Sequence, residues 1–230
     1  MIGIIGAMEE EVAALKEDMD IQETVEQASM VFCKGKLCGK DVVVVRSGIG
    51  KVNAGICAQI LVDRFRADML INTGIAGSLD ARIDIGDMVI STDALHHDMD
   101  ATICGDAIGQ IPRMDTLAFP ADQKLIELAC QVCREVNPEI QVYAGRVVSG
   151  DQFVSDKESK ERIKTNFDGF CTEMEGAAIA QAAYLHGIPY VVLRAISDKA
   201  DDSAAVDYPA FERENIRHCV HLVLNMEKKQ

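Results

Sequence analysis

The 230-residue sequence has no tryptophan, and aromatic residues make up only 5% of it. Cations are also scarce, since 23 lysines and arginines stand against 37 aspartates and glutamates, a formal net charge of −14. Binding to a nucleic-acid backbone or to an anionic membrane surface depends on clustered basic side chains. The deficit of positive charge therefore argues against both as partners and favours a small, nearly neutral substrate.

Long apolar runs and a leader segment are absent too. No stretch reaches the roughly 18 apolar residues that a membrane-spanning helix needs. The chain starts directly with Ile2-Gly3-Ile4-Ile5 rather than with a basic signal segment. These features predict a cytoplasmic protein without a membrane anchor.

The sequence also lacks the ligand pattern of a metal site. Its eight cysteines lie mostly apart in apolar or ordinary segments, as is typical of buried cytosolic thiols. Cys130 and Cys133 form a CxxC pair, but no second CxxC or histidine pair accompanies them. We expect no bound metal.

The order of apolar segments predicts the fold class. Short apolar runs alternate with amphipathic helical stretches along the whole chain, the pattern of a sheet covered by helices on both faces. With 48% hydrophobic and 26% charged residues, we expect one α/β domain over residues 1–230. The predicted strands are 2–5, 42–45, 69–72, 88–91, 142–149 and 190–196, and a long loop is expected over 94–120. The predicted helices are 9–18, 51–65, 122–135, 156–165, 174–186 and 209–226, the fifth stopped by Gly187 and Pro189.

Polar and glycine-rich segments follow several predicted strands, at 6–11, 47–51, 72–77 and 195–198, and residues 173–175 are expected to open a helix. Loops at strand ends are where α/β folds place their sites. Gly48 and Gly50 lack the third glycine of a dinucleotide fingerprint, and Lys51 is followed by Val52 rather than by the serine or threonine of a P-loop. The sequence therefore predicts neither kind of nucleotide cofactor site.

Carboxylates recur in these segments. Taken singly, Glu11 or Glu175 is more often an acidic residue that stabilises the start of a helix than a catalyst. Taken with Asp198, however, they form a set suited to cleavage of a glycosidic bond. One carboxylic acid protonates the leaving group, one carboxylate activates water, and negative charge stabilises the oxocarbenium-like sugar.

Six segments together resemble the methylthioadenosine/S-adenosylhomocysteine nucleosidases, within the purine nucleoside phosphorylase and uridine phosphorylase superfamily. They lie in family order over nearly the whole chain: Gly3-Ile-Ile-Gly-Ala-Met-Glu-Glu-Glu11, Ser47-Gly-Ile-Gly-Lys-Val52, Ile71-Asn-Thr-Gly74 with Ala76-Gly77, Val148-Ser-Gly-Asp-Gln-Phe153, Glu173-Met-Glu175 and Arg194-Ala-Ile-Ser-Asp198. The resemblance implies a three-layer α/β/α sandwich around a central mixed sheet. It also implies a homodimer that hydrolyses adenine nucleosides without a cofactor, with water as the nucleophile.

The resemblance also implies residue roles. Glu11 would position and activate water with the help of Arg194, and Asp198 would protonate adenine at N7. Ser197 would steady the Asp198 carboxyl. In substrate binding, Glu175 would accept hydrogen bonds from the ribose hydroxyls, and Met174 would pack on the sugar. Phe153 would stack on adenine, and the backbone of Val154 would bind its amino edge. Met8, Ile49 and Tyr208 would enclose the 5′ substituent.

Two departures from the family pattern concern the 5′ pocket. Ile75 stands where the family often has a polar residue, and the segment 101–106, with Cys104 and Asp106, lacks the usual bulky aromatics. Three alternatives stay open: a phosphate-dependent nucleoside phosphorylase, a futalosine-type nucleosidase, and an inactive nucleoside-binding or sensor module. A matched acid and base argue against the last, because a pure binder has no use for them.

Overall fold

The computed structural model describes residues 1–229, with the side chains of all of these except 205–210 and 212–214. The strands are β1 (Ile2–Gly6), β2 (Asp20–Gln27), β3 (Met30–Leu37), β4 (Lys40–Arg46), β5 (Met69–Ser78), β6 (Met88–His96), β7 (Phe119–Pro120), β8 (Val142–Ser149), β9 (Cys171–Glu173) and β10 (Tyr190–Asp198). The helices are α1 (Glu9–Glu17), α2 (Lys51–Phe65), α3 (Gln123–Val136), α4 (Lys157–Phe167), α5 (Gly176–His186) and α6 (Ala204–Lys229).

The strands form one mixed sheet that closes on itself at one side. The strands β10, β6, β8, β9 and β5 pair in that order, and β10 also pairs with β5, which completes a ring. From β5 the sheet continues outward through β1, β4, β3 and β2. β1 lies parallel between β4 and β5, whereas β10 is parallel to β5 and antiparallel to β6.

Helices cover both faces of the sheet, which confirms the predicted three-layer arrangement. On one face α2 and α5 pack through small residues such as Ala54, Ala58 and Ala180. On the other face α1, α3 and α6 contribute larger side chains, among them Leu15, Ile126 and Leu222. Strands covered on both faces are buried along their whole length, and β1 and β10 are.

The sequence missed the strands β2, β3, β7 and β9. β2 is a largely exposed edge strand with the polar sequence DIQETVEQ, so it has no apolar run to mark it. It forms because β3 supplies its hydrogen-bond partners from Met30 to Lys36. β9 is only three residues long and is held between β5 and β8.

Several boundaries also differ from the prediction. β5 continues through the segment 72–77, which was expected to be a loop, because β10 pairs with it as far as Gly77. β6 likewise runs into the expected loop 94–120, which also contains a short 3-10 helix at Thr102–Cys104 and β7. Helix α5 begins at Gly176 rather than Met174, and Gly187 ends it in the left-handed conformation with φ 65°, as predicted.

None of the helices in the described part of the chain combines the length and the apolar character that crossing a membrane requires.

Candidate active site

A cavity of about 580 Å³ opens where β1, β5, β9 and β10 end. Eight of the eleven predicted site residues line it: Met8, Glu11, Ile49, Phe153, Met174, Glu175, Ser197 and Asp198. The sheet brings them together because the parallel strands β1, β5 and β10 all present their carboxyl ends at this edge. Ile75, Ala76, Gly77, Thr172, Glu173 and Ala7 complete the lining.

Three predicted site residues are not part of that lining. Arg194 lies fully buried behind the cavity wall. The side chain of Val154 packs in a separate apolar cluster with Leu79 and Ala200, and the residue is not part of the cavity lining. The side chain of Tyr208 lies outside the described residues.

Glu11 sits in the first turn of α1 and is almost completely buried. Its Oε2 accepts hydrogen bonds from the backbone N–H groups of Ala7 at 2.6 Å and Met8 at 3.0 Å, and its Oε1 accepts one from Ile75 at 3.3 Å. Burial raises the pKa of Glu11 above its ordinary value, against the opposing effects of Arg194 and of these three donors. A carboxyl with a raised pKa is a stronger proton acceptor, which suits a general base.

Gly74 allows Glu11 and Arg194 to approach the same point of β5. A Cβ atom on residue 74 would lie 2.2 Å from Arg194 Nη1 and 2.5 Å from Glu11 Oε1. Neither polar group could keep its place beside a larger residue. The absence of a side chain at this position is therefore a condition for the arrangement.

Asp198 ends β10 and is buried in the cavity wall. Its Oδ2 accepts a hydrogen bond from Ser197 Oγ at 2.8 Å, and its Oδ1 accepts one from the Ala200 backbone N–H at 2.7 Å. These contacts hold the carboxyl in one orientation at the cavity surface. Such a group can deliver a proton to a ligand from a defined direction.

Glu175 precedes helix α5 and lies on the side of the cavity nearest α2. Its Oε1 accepts a hydrogen bond from the Gly50 N–H at 2.8 Å, and its Oε2 lies 3.8 Å from Arg194 Nη2. Burial and the neighbouring Glu173 raise the pKa of Glu175 to about 7. The group can therefore change its charge near neutral pH.

Glu173 is a buried residue of the site that the sequence interpretation did not assign a role. Its carboxylate forms an ion pair with Arg194 Nη2 and accepts the hydroxyl of Ser149. Arg194 Nη2 also donates to Asn72 Oδ1 at 2.6 Å. The sequence did contain a signal for this role, because an arginine inside an apolar strand needs a neighbouring anion to balance its charge.

The mouth of the cavity carries exposed apolar side chains. Phe153 is 51% exposed and Ile49 is 54% exposed, although both line the cavity. A planar ligand entering between them would cover apolar surface that is otherwise in water. Of the segment 101–106, no residue belongs to the lining, and Ile103 and Cys104 face outward.

No three His, Cys, Asp or Glu side chains among those described are placed to hold a metal ion. The eight cysteines are all free thiols, of which Cys38 and Cys104 are exposed.

The chain is similar to known proteins over nearly its whole length. The profile of the phosphorylase superfamily matches residues 1–226. The 5′-methylthioadenosine/S-adenosylhomocysteine nucleosidase of Staphylococcus carnosus (strain TM300) is 44% identical over 229 residues, 99% of each chain. A nucleosidase of the same name from Colwellia psychrerythraea 34H, solved in complex with adenine, is 40% identical with a TM-score of 0.94, and the match covers 98% of this chain and 93% of that one.

A second enzyme type has the same fold. The futalosine hydrolase of Helicobacter pylori strain 26695 is 32% identical with a TM-score of 0.94, over 100% of this chain and 97% of that one. Its identity to this chain is lower than that of the two nucleosidases. The chain belongs to the phosphorylase superfamily, and within it to the family of the 5′-methylthioadenosine/S-adenosylhomocysteine nucleosidases.

Proposed function

We propose that the protein hydrolyses the N-glycosidic bond of 5′-methylthioadenosine and S-adenosylhomocysteine, releasing adenine and the 5-thio-substituted ribose. The observation that carries the proposal is the convergence of Glu11, Glu175 and Asp198 on one cavity whose mouth holds Phe153. Such a cavity offers a proton acceptor, an acceptor of hydrogen bonds from hydroxyl groups, a proton donor and an apolar surface for the adenine ring. The names of the curated relatives support the same substrates.

The proposed reaction divides the work between two carboxyl groups. Asp198 donates a proton to N7 of adenine, which makes the base a better leaving group as the bond between N9 and C1′ breaks. Glu11 accepts a proton from the water whose oxygen bonds to C1′. Glu175 accepts the ribose hydroxyls, and the negative charge of the carboxylates stabilises the oxocarbenium-like sugar.

The charges of the cavity favour water over phosphate as the nucleophile. The described side chains that line it include no lysine, arginine or histidine, and Glu11 would repel an anion. Arg194, which lies buried behind the wall, already forms an ion pair with Glu173. A phosphate site needs unpaired donors in a fork or nest. The cavity therefore favours hydrolysis over phosphorolysis.

Product analysis tests this proposal. Pure protein incubated with methylthioadenosine should release adenine and the free 5-thio-substituted ribose at the same rate with and without phosphate. Futalosine serves as the comparison substrate and should be cleaved at a lower kcat/KM. Formation of the ribose 1-phosphate only when phosphate is added would instead show a phosphorylase.

We also propose that the protein works as a homodimer in which the segment 101–112 reaches the partner's cavity. Val52 and Ile56 lie four residues apart on α2 and are 72% and 43% exposed, and Leu185 on the adjoining α5 is 67% exposed. This apolar surface continues to Ile49 at the cavity mouth. A stable dimer buries about 1,600 Å² in total, so a surface of this kind suits one.

A charged residue on α2 should separate the subunits. We expect Val52→Glu to be a monomer at micromolar concentration and to lose at least about tenfold in kcat/KM, because each cavity then lacks the neighbouring segment. Sedimentation and steady-state kinetics measure both quantities. Val31→Glu is the matched control, since Val31 is also exposed but lies on β3 at the far side of the sheet. A wild-type monomer with full activity would contradict the arrangement.

The free thiols bear on the location of the protein. All eight cysteines are unpaired, and three of them, Cys130, Cys133 and Cys219, are buried on the same face of the sheet. Reducing compartments keep thiols in this form. We propose a cytoplasmic location on this basis.

A further inference from the structure

Charge is unbalanced around Arg194. Three buried carboxyl groups, those of Glu11, Glu173 and Glu175, lie close enough to influence this one buried guanidinium. Burial alone would lower the pKa of Arg194, but these carboxylates outweigh it and raise the pKa. The thiols of Cys171 and Cys219 also lie near Arg194, and burial raises the pKa of both. His96 and His97 lie near Glu173, and burial lowers the pKa of both. Arg194 is thus the single cation that faces three carboxyl groups in this described part of the chain.

Hydrogen bonds decide which carboxyl group holds the guanidinium. Glu173 accepts from Arg194 Nη2, from Ser149 Oγ and from the backbone N–H groups of Glu175 at 3.2 Å and Gly176 at 2.8 Å. Glu175 accepts from the Gly50 N–H and lies farther from Arg194, at 3.8 Å. Glu173 therefore has the environment of a fixed carboxylate.

The contacts of Glu173 also hold the backbone turn at the start of α5. Two of its donors are backbone N–H groups at the start of α5, directly around Glu175. Ser149, at the end of β8, accepts the Ala177 N–H at 2.7 Å and so joins the same turn to the sheet. Loss of this carboxylate would free both the guanidinium and the turn that carries Glu175.

We propose that Glu173 is a positioning residue, which anchors Arg194 and the first turn of α5 and thereby holds Glu175 in place for the ribose hydroxyls. It is separate from the groups that transfer protons, and its role rests on the proposed nucleosidase function. The negative charge of Glu173 has a second effect, because it opposes ionisation of Glu175. Removing that charge must alter the pH at which Glu175 ionises and can accept hydrogen bonds from the ribose hydroxyls.

The variant Glu173→Gln separates positioning from mere structural support. In the wild type, kcat/KM for methylthioadenosine should fall as the pH decreases through about 7, where Glu175 takes up a proton. Protonation of Glu11, whose pKa burial also raises, adds to this fall in both the wild type and the variant. In Glu173→Gln this acidic limb should move to lower pH by on the order of one unit, because the repelling charge is gone. At pH 8 kcat should be reduced about 10-fold to 100-fold, because Glu175 and Arg194 are no longer held.

Asp122→Asn is the matched control, because Asp122 accepts the Lys124 and Leu125 N–H groups at the start of α3, outside the cavity. It should change thermal stability only and leave the limb unchanged. Ser149→Ala serves if Glu173→Gln does not fold: it keeps the charge, and it should lower kcat about threefold to tenfold with the limb in place.

The outcomes are distinct. A wild-type protein that releases no adenine would refute the nucleosidase function itself. An active wild type whose limb stays in place in a folded Glu173→Gln variant would overturn the positioning role, as would unchanged kcat in Ser149→Ala.

Discussion

Asp198→Asn is expected to lower kcat for adenine nucleosides by more than about 100-fold, the low end for loss of general acid catalysis. An amide cannot deliver a proton to N7, and adenine is a poor leaving group without it. The substitution preserves the shape of the side chain, and the amide oxygen can still accept either the Ser197 hydroxyl or the Ala200 N–H. The loss should therefore appear in turnover and not in folding.

Single-turnover measurement of adenine release checks this prediction, together with thermal unfolding of the variant. Asp84→Asn is a suitable control, because this exposed carboxylate pairs with Lys199 beside the same segment but lies outside the cavity. It should retain nearly full kcat. If Asp198→Asn kept more than a tenth of the wild-type rate, Asp198 would have no part in proton transfer.

Glu11→Gln is expected to reduce kcat comparably while leaving adenine binding nearly intact. The amide cannot accept a proton from water, but it can place its oxygen toward the Ala7 and Met8 N–H groups. Its nitrogen then faces the Ile75 N–H, and that hydrogen bond is lost. Calorimetric titration with adenine, alongside steady-state kinetics, separates binding from turnover. A variant that is well folded yet binds no adenine would show that Glu11 serves recognition instead.

The difference in stability between the wild type and this variant should also depend on pH in a defined way. Because the pKa of Glu11 is raised in the folded protein, the folded state takes up a proton at a higher pH than the unfolded chain. The wild type is therefore stabilised as the pH falls through the raised pKa toward about 4.5. At a pH above the raised pKa, Glu11 is ionised and its buried charge destabilises the folded state. Glu11→Gln should lose this gain, and near neutral pH its unfolding temperature should equal or exceed that of the wild type.

Much of the sheet and most of the cavity could be predicted before the structure. β1, β8 and β10 have apolar runs that local periodicity identifies, and α2 and α3 have clear helical patterns. The strand-end positions of Glu11 and Asp198 placed both in one site, since parallel strands share an edge. The resemblance of six segments to one family supplied the chemistry and the mixed sheet.

Other features were decided by partners distant in the chain. β2 has no apolar signal, and only its pairing with β3 makes it a strand. The segment 72–77 has the composition of a loop, yet it is a strand because β10 pairs with it. The role of Glu173 depends on Arg194, 21 residues away, and on Asn72, which lies 122 residues from Arg194.

The difference has a physical basis. Periodicity and turn residues report on contiguous stretches, so they identify elements, their order and the chemical groups at their ends. Burial and ion pairing depend on which elements become neighbours, and those contacts set the environment of each carboxyl group. In the sequence, Glu11 and Glu173 are both acidic residues, and nothing local distinguishes their roles. Only in the folded chain does one meet three backbone donors at the cavity and the other the guanidinium of Arg194, because the closed ring of strands brings β5, β9 and β10 together.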